Sequence, residues 1–318
     1  MFVTGATGLL GSWMVQELLE RGANVICLVR DWVPGSRLIH EKIVDRVTVV
    51  RADLVSYEDL LRSLNEYEVN TVLHLAAQAI VGTAARSALS TFESNIRGTW
   101  NLLEACRNVK TVERVVVASS DKAYGSHEVL PYKEDAPLIG RFPYDVSKSC
   151  TDLISFSYFH TYRLPIAVTR CGNLYGGGDL NWNRIVPGTI RSVLRNQAPV
   201  IRSDGTFVRD YFYVRDAVSA YLGLAERVHE DGVIGEAFNF GTETPFSVTH
   251  VVDHILKVMG RTDLVPRIMN QASAEIPKQF LDCDKAARVL GWRSSYPFES
   301  GLADTIPWYQ AYLSQADK

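Results

Sequence analysis

The fold is decided by the stretch Thr4-Gly5-Ala6-Thr7-Gly8-Leu9-Leu10-Gly11, which follows a short apolar run and precedes an amphipathic segment. Gly5 permits a tight turn, Gly8 lets the backbone approach a diphosphate, and Gly11 allows the helix to pack closely on the strand. The free N–H groups at the start of the helix then face the phosphates. The strand–turn–helix context therefore predicts a dinucleotide site, with these contact residues: Gly5, Thr7, Gly8, Leu9, Leu10 and Gly11.

Around this stretch, the first half of the chain alternates apolar, β-branched runs with helical patterns. Strands are predicted at Phe2–Thr4, Asn24–Val29, Val47–Ala52, Thr71–Leu75, Arg114–Ser119 and Ile166–Arg170. Helices are predicted at Ser12–Arg21, Tyr57–Asn65, Ser90–Cys106 and Tyr144–Tyr162. Near-continuous apolar strands alternating with helices indicate a parallel sheet covered on both faces. Because crossovers are right-handed, we predict an α/β fold with a Rossmann-type doubly wound parallel sheet.

The second half of the chain is less regular and suggests a smaller α+β domain. Its predicted elements are a helix at Ile185–Asn196, a strand at Pro199–Arg202, a helix at Val214–Arg227, a strand at Ala237–Phe240 that can join the first sheet, and helices near Val248–Met259 and Asp284–Leu290. We expect residues 1–172, together with about 213–241, to bind the dinucleotide. Residues 173–212 and 242–318 would then bind the substrate.

Composition limits the classes of partner. The 318 residues carry a net charge of −3, and the basic residues are scattered, so we expect no nucleic-acid partner. The five cysteines include no C-x-x-C pair, which argues against a disulfide framework or a zinc site. His250 and His254 have helical spacing but no evident third ligand, so we expect no metal. No apolar run reaches the roughly 20 residues that span a bilayer, and we expect a cytoplasmic protein without a membrane partner.

The adenosine end of the dinucleotide site gives two opposite signals. A carboxylate after the second strand favours NAD, whereas an arginine accommodates the 2′-phosphate of NADP. The chain has Arg30-Asp31 there, followed by Ser36-Arg37, so the cofactor is predicted as NAD or NADP. Asp53-Leu54 follows the third strand, where an adenine edge can be held. Leu75-Ala76-Ala77-Gln78 ends the fourth strand with small residues that let the backbone pass close to a cofactor.

Tyr144 and Lys148 are predicted on one face of a helix, because they are four residues apart. A free phenol has a pKa of about 10, and a nearby cation lowers that pKa. We therefore expect Lys148 to make Tyr144 a base near neutral pH, able to remove a proton from a substrate hydroxyl.

The loop Ser119-Ser120-Asp121-Lys122-Ala123-Tyr124-Gly125 follows the fifth predicted strand. Ligands of an open α/β sheet bind at the carboxyl ends of the strands, so this loop should face the cofactor. Ser120 can hydrogen-bond the reacting hydroxyl and hold it against Tyr144.

The motifs T-G-x-x-G-x-x-G, S-S-x-x-x-Y-G and Y-x-x-x-K occur here in the order typical of one family. The chain resembles the extended short-chain dehydrogenase/reductases that modify nucleotide-sugars, and the similarity continues through Asn95–Thr99, Arg170–Gly176 and Arg209–Asp216. The resemblance implies a catalytic triad of Ser120, Tyr144 and Lys148. It also implies tightly bound NAD(P) regenerated in each cycle, with Asn95 and Ser119 beside it, and a homodimer that pairs through two helices. The residues it places on the nucleotide-diphosphate sugar are Asn173, Arg184 and Arg209.

Asp121 and Lys122 separate two chemistries that both begin with oxidation at C4 of the hexose. An epimerase needs only room for the keto-sugar to turn over, whereas a 4,6-dehydratase needs a second acid/base set to remove water across C5 and C6. The Ser-Asp-Lys run resembles the CDP-glucose 4,6-dehydratase branch, so we expect C4 oxidation, elimination and internal return of the hydride to C6. The alternatives are a UDP-hexose 4-epimerase (UDP-glucose or UDP-glucuronate type), in which Asp121 and Lys122 form an exposed, salt-bridged loop, and a non-catalytic NAD(P)-binding protein.

Overall fold

The computed structural model describes residues 1–271 and 276–316. Its strands are β1 Phe2–Thr4, β2 Ile26–Val29, β3 Thr48–Arg51, β4 Thr71–His74, β5 Arg114–Ala118, β6 Ile166–Cys171, β7 Asn173–Tyr175, β8 Val200–Ile201, β9 Val208–Tyr213, β10 Ala237–Phe240, β11 Pro245–Ser247, β12 Arg267–Ile268 and β13 Lys278–Gln279. Its α-helices are α1 Leu9–Glu20, α2 Arg37–His40, α3 Tyr57–Glu66, α4 Val81–Arg86, α5 Ala88–Phe92, α6 Gly98–Asn108, α7 Pro143–Tyr162, α8 Ile185–Leu194, α9 Val214–Arg227, α10 Val248–Val258 and α11 Phe298–Ala316. Short 3₁₀ segments occupy Ile43–Arg46 and Asp121–Tyr124, and π-helical segments occupy Glu93–Arg97 and Ala286–Leu290.

Within the described residues, seven strands form one parallel sheet in the order β10-β6-β5-β4-β1-β2-β3. The first strand lies in the middle, where Phe2 pairs with Ile26 on one side and Val72 on the other. The chain reverses its direction of travel across the sheet between β1 and β4. Ligands bind outside the carboxyl ends of the strands at such a switch point.

Both faces of the sheet are covered, as the apolar strands require. Successive residues of a strand point to opposite faces: Val116 packs with the α1 and α9 side of the core, whereas Val115 and Val117 pack with α3 and α6. The α/β fold with a doubly wound parallel sheet is therefore confirmed. None of the described helices is long and apolar enough to cross a membrane.

A second group of strands lies outside the main sheet and is organised around β9. This strand pairs with β7 and β13 in parallel and with β11 antiparallel, while β8 pairs with β12. The bridge between Tyr132 and Leu281 also ties this part of the chain to the loop after β5.

The sequence-based prediction of the elements is accurate for the main sheet and incomplete elsewhere. The bounds of β1, α9 and β10 agree with the prediction, and β10 joins the main sheet as expected, by pairing with β6. The long helix α11 was missed, because Pro307 interrupts its pattern. The strands β7, β9, β11 and β13 were missed as well, since each is short or falls inside a polar motif.

Candidate active site

The glycine turn between β1 and α1 is shaped by close backbone approaches. Gly5 has φ +73°, and a Cβ there would lie 2.7 Å from the amide nitrogen of Ala76. A Cβ on Gly11 would overlap the carbonyl oxygen of Gly5. Gly8 is the N-cap residue of α1 and supplies no side-chain cap. The first N–H groups of a twelve-residue helix therefore remain available at the centre of the sheet edge, which suits the phosphates of a dinucleotide.

At the adenosine end, the two arginines differ sharply in accessibility. Arg30 and Asp31 are exposed and form an ion pair of 2.7 Å. Arg37 is buried: its guanidinium lies 3.9 Å from the centre of the Trp13 ring and is 3.0 Å from Glu41. The interpretation of Arg37 as a second signal for a 2′-phosphate is therefore wrong, because its charge is already used inside the protein.

The third and fourth strands end in tight local turns. The carboxylate of Asp53 accepts a hydrogen bond from the amide of Val55 at 3.2 Å, and Leu54 is buried against Gly98. At the end of β4, the amides of Leu75 and Ala76 both donate to the Thr4 hydroxyl at 3.1 Å.

His74, the last residue of β4, also contacts the Thr4 hydroxyl and is not a catalytic acid. Its ring nitrogens contact the hydroxyls of Thr4 at 2.9 Å and Thr99 at 3.1 Å. Complete burial lowers the pKa of His74 to about 3, and the nearby Lys148 lowers it further. Both ring nitrogens of His74 are therefore satisfied by hydroxyl groups inside the protein.

Asn95 acts on the loop after β4 through hydrogen bonds. Its Oδ1 accepts from the Gln78 amide at 2.7 Å, and its Nδ2 donates to Ser147 Oγ at 2.9 Å. It lies in the π-helical segment, a feature frequent at functional sites. Asn95 thus links the Ala77–Gln78 backbone to helix α7.

The loop after β5 brings Ser120, Asp121 and Lys122 to the carboxyl edge of the sheet. Ser120 caps the 3₁₀ segment, accepting from the Lys122 amide at 3.2 Å. Its hydroxyl donates to Asp121 Oδ1 at 3.0 Å and also contacts the Tyr144 phenol. Ser120 is therefore shared between the phenol and the acid, an arrangement suited to holding a reacting hydroxyl.

Tyr144 and Lys148 lie on α7 as predicted, but their electrostatics differ from the expectation. Burial raises the pKa of Tyr144 to about 12, opposed by the hydrogen bond with Ser120 and the charge of Arg184. Lys148 donates from Nζ to the carbonyl of Ala118 at 2.6 Å, and burial lowers the pKa of Lys148 to about 8. The predicted lowering of the phenol pKa by Lys148 is therefore wrong for this state of the protein, because desolvation outweighs the nearby charges.

Asp121 is deeply buried, with 2% of its surface exposed. Burial raises the pKa of Asp121, and the charges of Lys122 and Arg209 and the hydroxyl of Ser120 oppose the shift. A raised pKa favours the protonated carboxylic acid, the form that can donate a proton. An exposed, salt-bridged loop does not describe Asp121.

Two residues reach this loop from the β9 strand group. Arg209 on β9 is buried and donates to the carbonyls of Val208 and Pro277 at 2.9 and 3.1 Å. Gln279 on β13 is fully buried, donates to the carbonyl of Asp121 at 2.8 Å and accepts from Lys122 Nζ. Gln279 was missed by the sequence analysis, and no motif points to it.

The remaining substrate candidates are Arg184, the N-cap residue of α8, and Asn173 on β7. Arg184 forms an ion pair of 3.1 Å with the buried Asp179 and is close enough to lower the pKa of Tyr144. Asn173 is half-buried on β7, where it pairs with Tyr211 of β9. Asp179 was also missed, although its position five residues before Arg184 is a usable signal.

A buried ion pair between Asp152 and Arg170 lies beside Lys148. Asp152 lies one helical turn after Lys148, binds Arg170 at 2.8 Å and accepts from the Ser119 hydroxyl. Its charge raises the pKa of Lys148 against the larger effect of burial. The sequence analysis missed Asp152, although its spacing of four residues from Lys148 places both side chains on one face of α7.

Two groups of possible metal ligands are occupied by protein contacts. The clustered carboxylates Glu243 and Asp284 both contact Arg293, at 3.0 and 3.3 Å. His250 stacks on Phe246 with 4.6 Å between ring centres, and His254 contacts Glu299 at 2.8 Å. These contacts give both histidines a packing role.

A glycine turn at the switch point, a tyrosine–lysine helix and an acidic loop after β5 place the chain among the NAD-dependent nucleotide-sugar dehydratases and epimerases, which are enzymes. The family model described as GDP-mannose 4,6 dehydratase matches residues 2–305. The chain belongs to that family.

Individual relatives include both reaction types. The CDP-glucose 4,6-dehydratase of Salmonella typhimurium is 30% identical over 100% of this chain and 92% of the relative. The structure of a double mutant of dTDP-glucose 4,6-dehydratase from Streptomyces venezuelae with NAD has a TM-score of 0.89 at 27% identity, covering 97% and 96% of the two chains. The structure of UDP-glucose 4-epimerase from Thermotoga maritima with UDP-glucose has a TM-score of 0.90 at 28% identity, covering 98% and 99%.

Proposed function

We propose that this chain is a nucleotide-sugar 4,6-dehydratase of the CDP-glucose type, converting an NDP-hexose to an NDP-4-keto-6-deoxyhexose. The observation that carries the proposal is the buried Asp121, which shares Ser120 with the Tyr144 phenol. A dehydratase needs an acid beside its oxidation machinery, and burial raises the pKa of Asp121, which shifts its carboxyl group toward the protonated form. The 30% identity to a CDP-glucose 4,6-dehydratase over the whole chain supports the same reaction.

The residues at the glycine turn fit a dinucleotide cofactor. Side chains at Gly5 or Gly11 would fill the space between β1, α1 and the end of β4, and the N–H groups that begin α1 have no side-chain cap. NAD(P), when bound, supplies the hydride acceptor for C4 and the hydride donor for C6. NAD is favoured, because Arg37 is unavailable and Arg30 is paired with Asp31.

The side chains then divide the proton transfers of a redox-neutral reaction. Tyr144 removes the O4 proton while Ser120 holds the hydroxyl. Elimination breaks the C5–H and C6–OH bonds and forms a C5=C6 double bond. Asp121 gives its proton to the departing C6 hydroxyl, which leaves as water. The amine form of Lys122 takes the C5 proton and returns a proton to C5 when the hydride is returned to C6. The phenol pKa of about 12 must fall when ligands bind, since the free form offers little base at neutral pH.

The substrate's diphosphate is assigned to Asn173, Arg184 and Arg209. A guanidinium presents a planar fork of donors that matches phosphate oxygens. We also propose that residues 1–172, with about 213–241, bind the dinucleotide and that residues 173–212 and 242–318 bind the substrate. We propose further that the protein is a cytoplasmic homodimer.

The proposal is tested by incubating the purified protein with CDP-, dTDP-, GDP- and UDP-hexoses and analysing the products by mass spectrometry for loss of water and by NMR for sugar stereochemistry. Loss of one water from one nucleotide-sugar is expected, and this result also identifies the nucleotide. A sugar of unchanged mass with an inverted stereocentre would instead establish an epimerase.

The second candidate function is a UDP-hexose 4-epimerase, favoured by the fold similarity to the Thermotoga maritima enzyme. Its product retains the C6 hydroxyl, so the same experiment separates the two. A non-catalytic role would require full cofactor occupancy with no turnover of any of the four sugars.

A further inference from the structure

Gln279 contacts the site but is used neither by the family motifs nor by the proposed reaction. Its side chain is fully buried, and a buried amide must satisfy both its donor and its acceptor groups. The amide nitrogen and the amide oxygen both bind the loop after β5. Nε2 donates to the carbonyl oxygen of Asp121 at 2.8 Å, and Oε1 accepts from Lys122 Nζ. One side chain therefore spans the two residues assigned to elimination.

The backbone around Gln279 fixes where its amide lies. Strand β13 pairs with β9 in parallel, and the register sets Gln279 opposite Arg209. The charge of Arg209 in turn lowers the pKa of Asp121 against the larger effect of burial. The pair of strands β9 and β13 thus brings the Gln279 amide and the Arg209 guanidinium to the Asp121–Lys122 loop. This loop follows β5 of the main sheet.

The contact with Gln279 Oε1 fixes the position of the Lys122 ammonium group. Its ammonium has three donors on a flexible four-carbon stem, so its position is poorly defined unless an acceptor holds it. A neutral amide oxygen directs Nζ without adding a negative charge beside Asp121. A displacement of about 1 Å in a reacting group can lower a rate by about 10²-fold.

We propose that Gln279 is a positioning residue for elimination, holding Lys122 Nζ and the Asp121 backbone in register with C5 and C6 of the sugar. It acts through these two residues and leaves C4 oxidation to Tyr144. This inference rests on the proposed dehydratase function. It extends that function by making elimination depend on the docking of β13 against the loop after β5.

The test uses Gln279→Met, which keeps the length and approximate volume but removes both hydrogen bonds. The probe is CDP-glucose with the NAD-loaded enzyme. We expect kcat for dehydration to fall by about 10- to 100-fold, while KM and the rate of C4 oxidation, followed as transient cofactor reduction, change by less than about 3-fold. Gln310→Met, at an exposed position of α11, is the matched control and should behave as the wild type.

A double-mutant cycle distinguishes positioning from general stability. If Gln279 acts through Lys122, then Gln279→Met added to Lys122→Met should cost less than about 3-fold more. Additive losses, or equal losses in oxidation and elimination, would overturn the inference. Gln279→Glu keeps an oxygen acceptor for Lys122 but loses the donor to the Asp121 carbonyl and adds a negative charge beside Asp121. It should therefore also lose elimination selectively, and it provides the same comparison if the methionine variant does not fold.

Failure of the inference and failure of the proposed function give different results. A wild-type enzyme that removes no water from any nucleotide-hexose overturns both. A wild-type enzyme that dehydrates CDP-glucose beside an equally active Gln279→Met variant overturns the inference alone.

Discussion

Tyr144 and Lys148 lie four residues apart on one helix, whereas Asp121 and Lys122 are held by Gln279, 158 positions beyond Asp121. The geometry of α7 by itself places the first pair on one helix face. The second pair acquires its arrangement only when β13 docks beside β9 and against the loop after β5. Oxidation at C4 is thus assigned to a locally built unit, and elimination to a unit assembled from distant parts of the chain.

The largest effect is expected from breaking the local unit. Tyr144→Phe removes the phenol oxygen that is assigned as the base, so turnover of CDP-glucose should fall by about 10³-fold. Bound NAD, measured after denaturing the protein, should be unchanged, because the glycine turn is intact. Turnover within a factor of ten of the wild type would show that Tyr144 is not the base.

A smaller and more selective loss is expected from the assembled unit. Asp121→Asn removes the acid for the C6 hydroxyl and should lower dehydration by about 10²-fold. Reduced cofactor should accumulate after substrate is added, because C4 oxidation continues; fluorescence of the reduced nicotinamide measures this.

Asp284→Asn is the control for that experiment, since this carboxylate is exposed and contacts Arg293 outside the site. Undiminished 4-keto-6-deoxy product from Asp121→Asn would remove the basis for assigning a dehydratase.

The glycine turn beneath both units can be tested by two alanine substitutions. Gly5 and Gly22 have φ of +73° and +77°, so both variants incur the same left-handed strain of about 1–2 kcal/mol. Only Gly5→Ala also collides with the Ala76 backbone, whereas nothing lies within 4 Å of a Cβ at Gly22. Gly5→Ala should therefore lower the free energy of unfolding by about 2 kcal/mol more, measured by urea denaturation. Equal losses would mean that the turn relaxes freely.

The smallest effect is a dependence on pH from His74. The pKa of His74 is about 3 in the folded protein, against 6.5 for the free side chain. As the pH falls below 6.5, the unfolded chain takes up a proton that the folded protein does not, so stability decreases. His74→Gln should remove about 2 kcal/mol of the stability lost between pH 7 and pH 5. Urea denaturation at both pH values measures this, with the exposed His229→Gln as the control; parallel behaviour of the two variants would contradict the buried, neutral state of His74.

The sequence predicted what local patterns determine. The bounds of β1, α9 and β10 follow from apolar periodicity, and the loop Ser120–Lys122 follows from its position after a strand. These signals lie within a few residues of one another, so they survive without knowledge of the tertiary structure.

What the sequence did not predict depends on contacts between distant residues. Gln279 is an ordinary amide in a polar stretch until β13 buries it. Helical spacing put Lys148 on the same face as Tyr144, but it could not reveal that Nζ reaches the Ala118 carbonyl or that burial dominates the pKa of the phenol.

The order of strands in the main sheet also has a consequence for synthesis on the ribosome. Strand β6 is complete at Cys171, yet its outer neighbour β10 begins only at Ala237. At about 5–20 residues per second, the nascent chain carries an open, apolar sheet edge for several seconds before β10 emerges. Unpaired strand edges recruit other chains, so β6 is where we expect chaperone contact during translation to be concentrated.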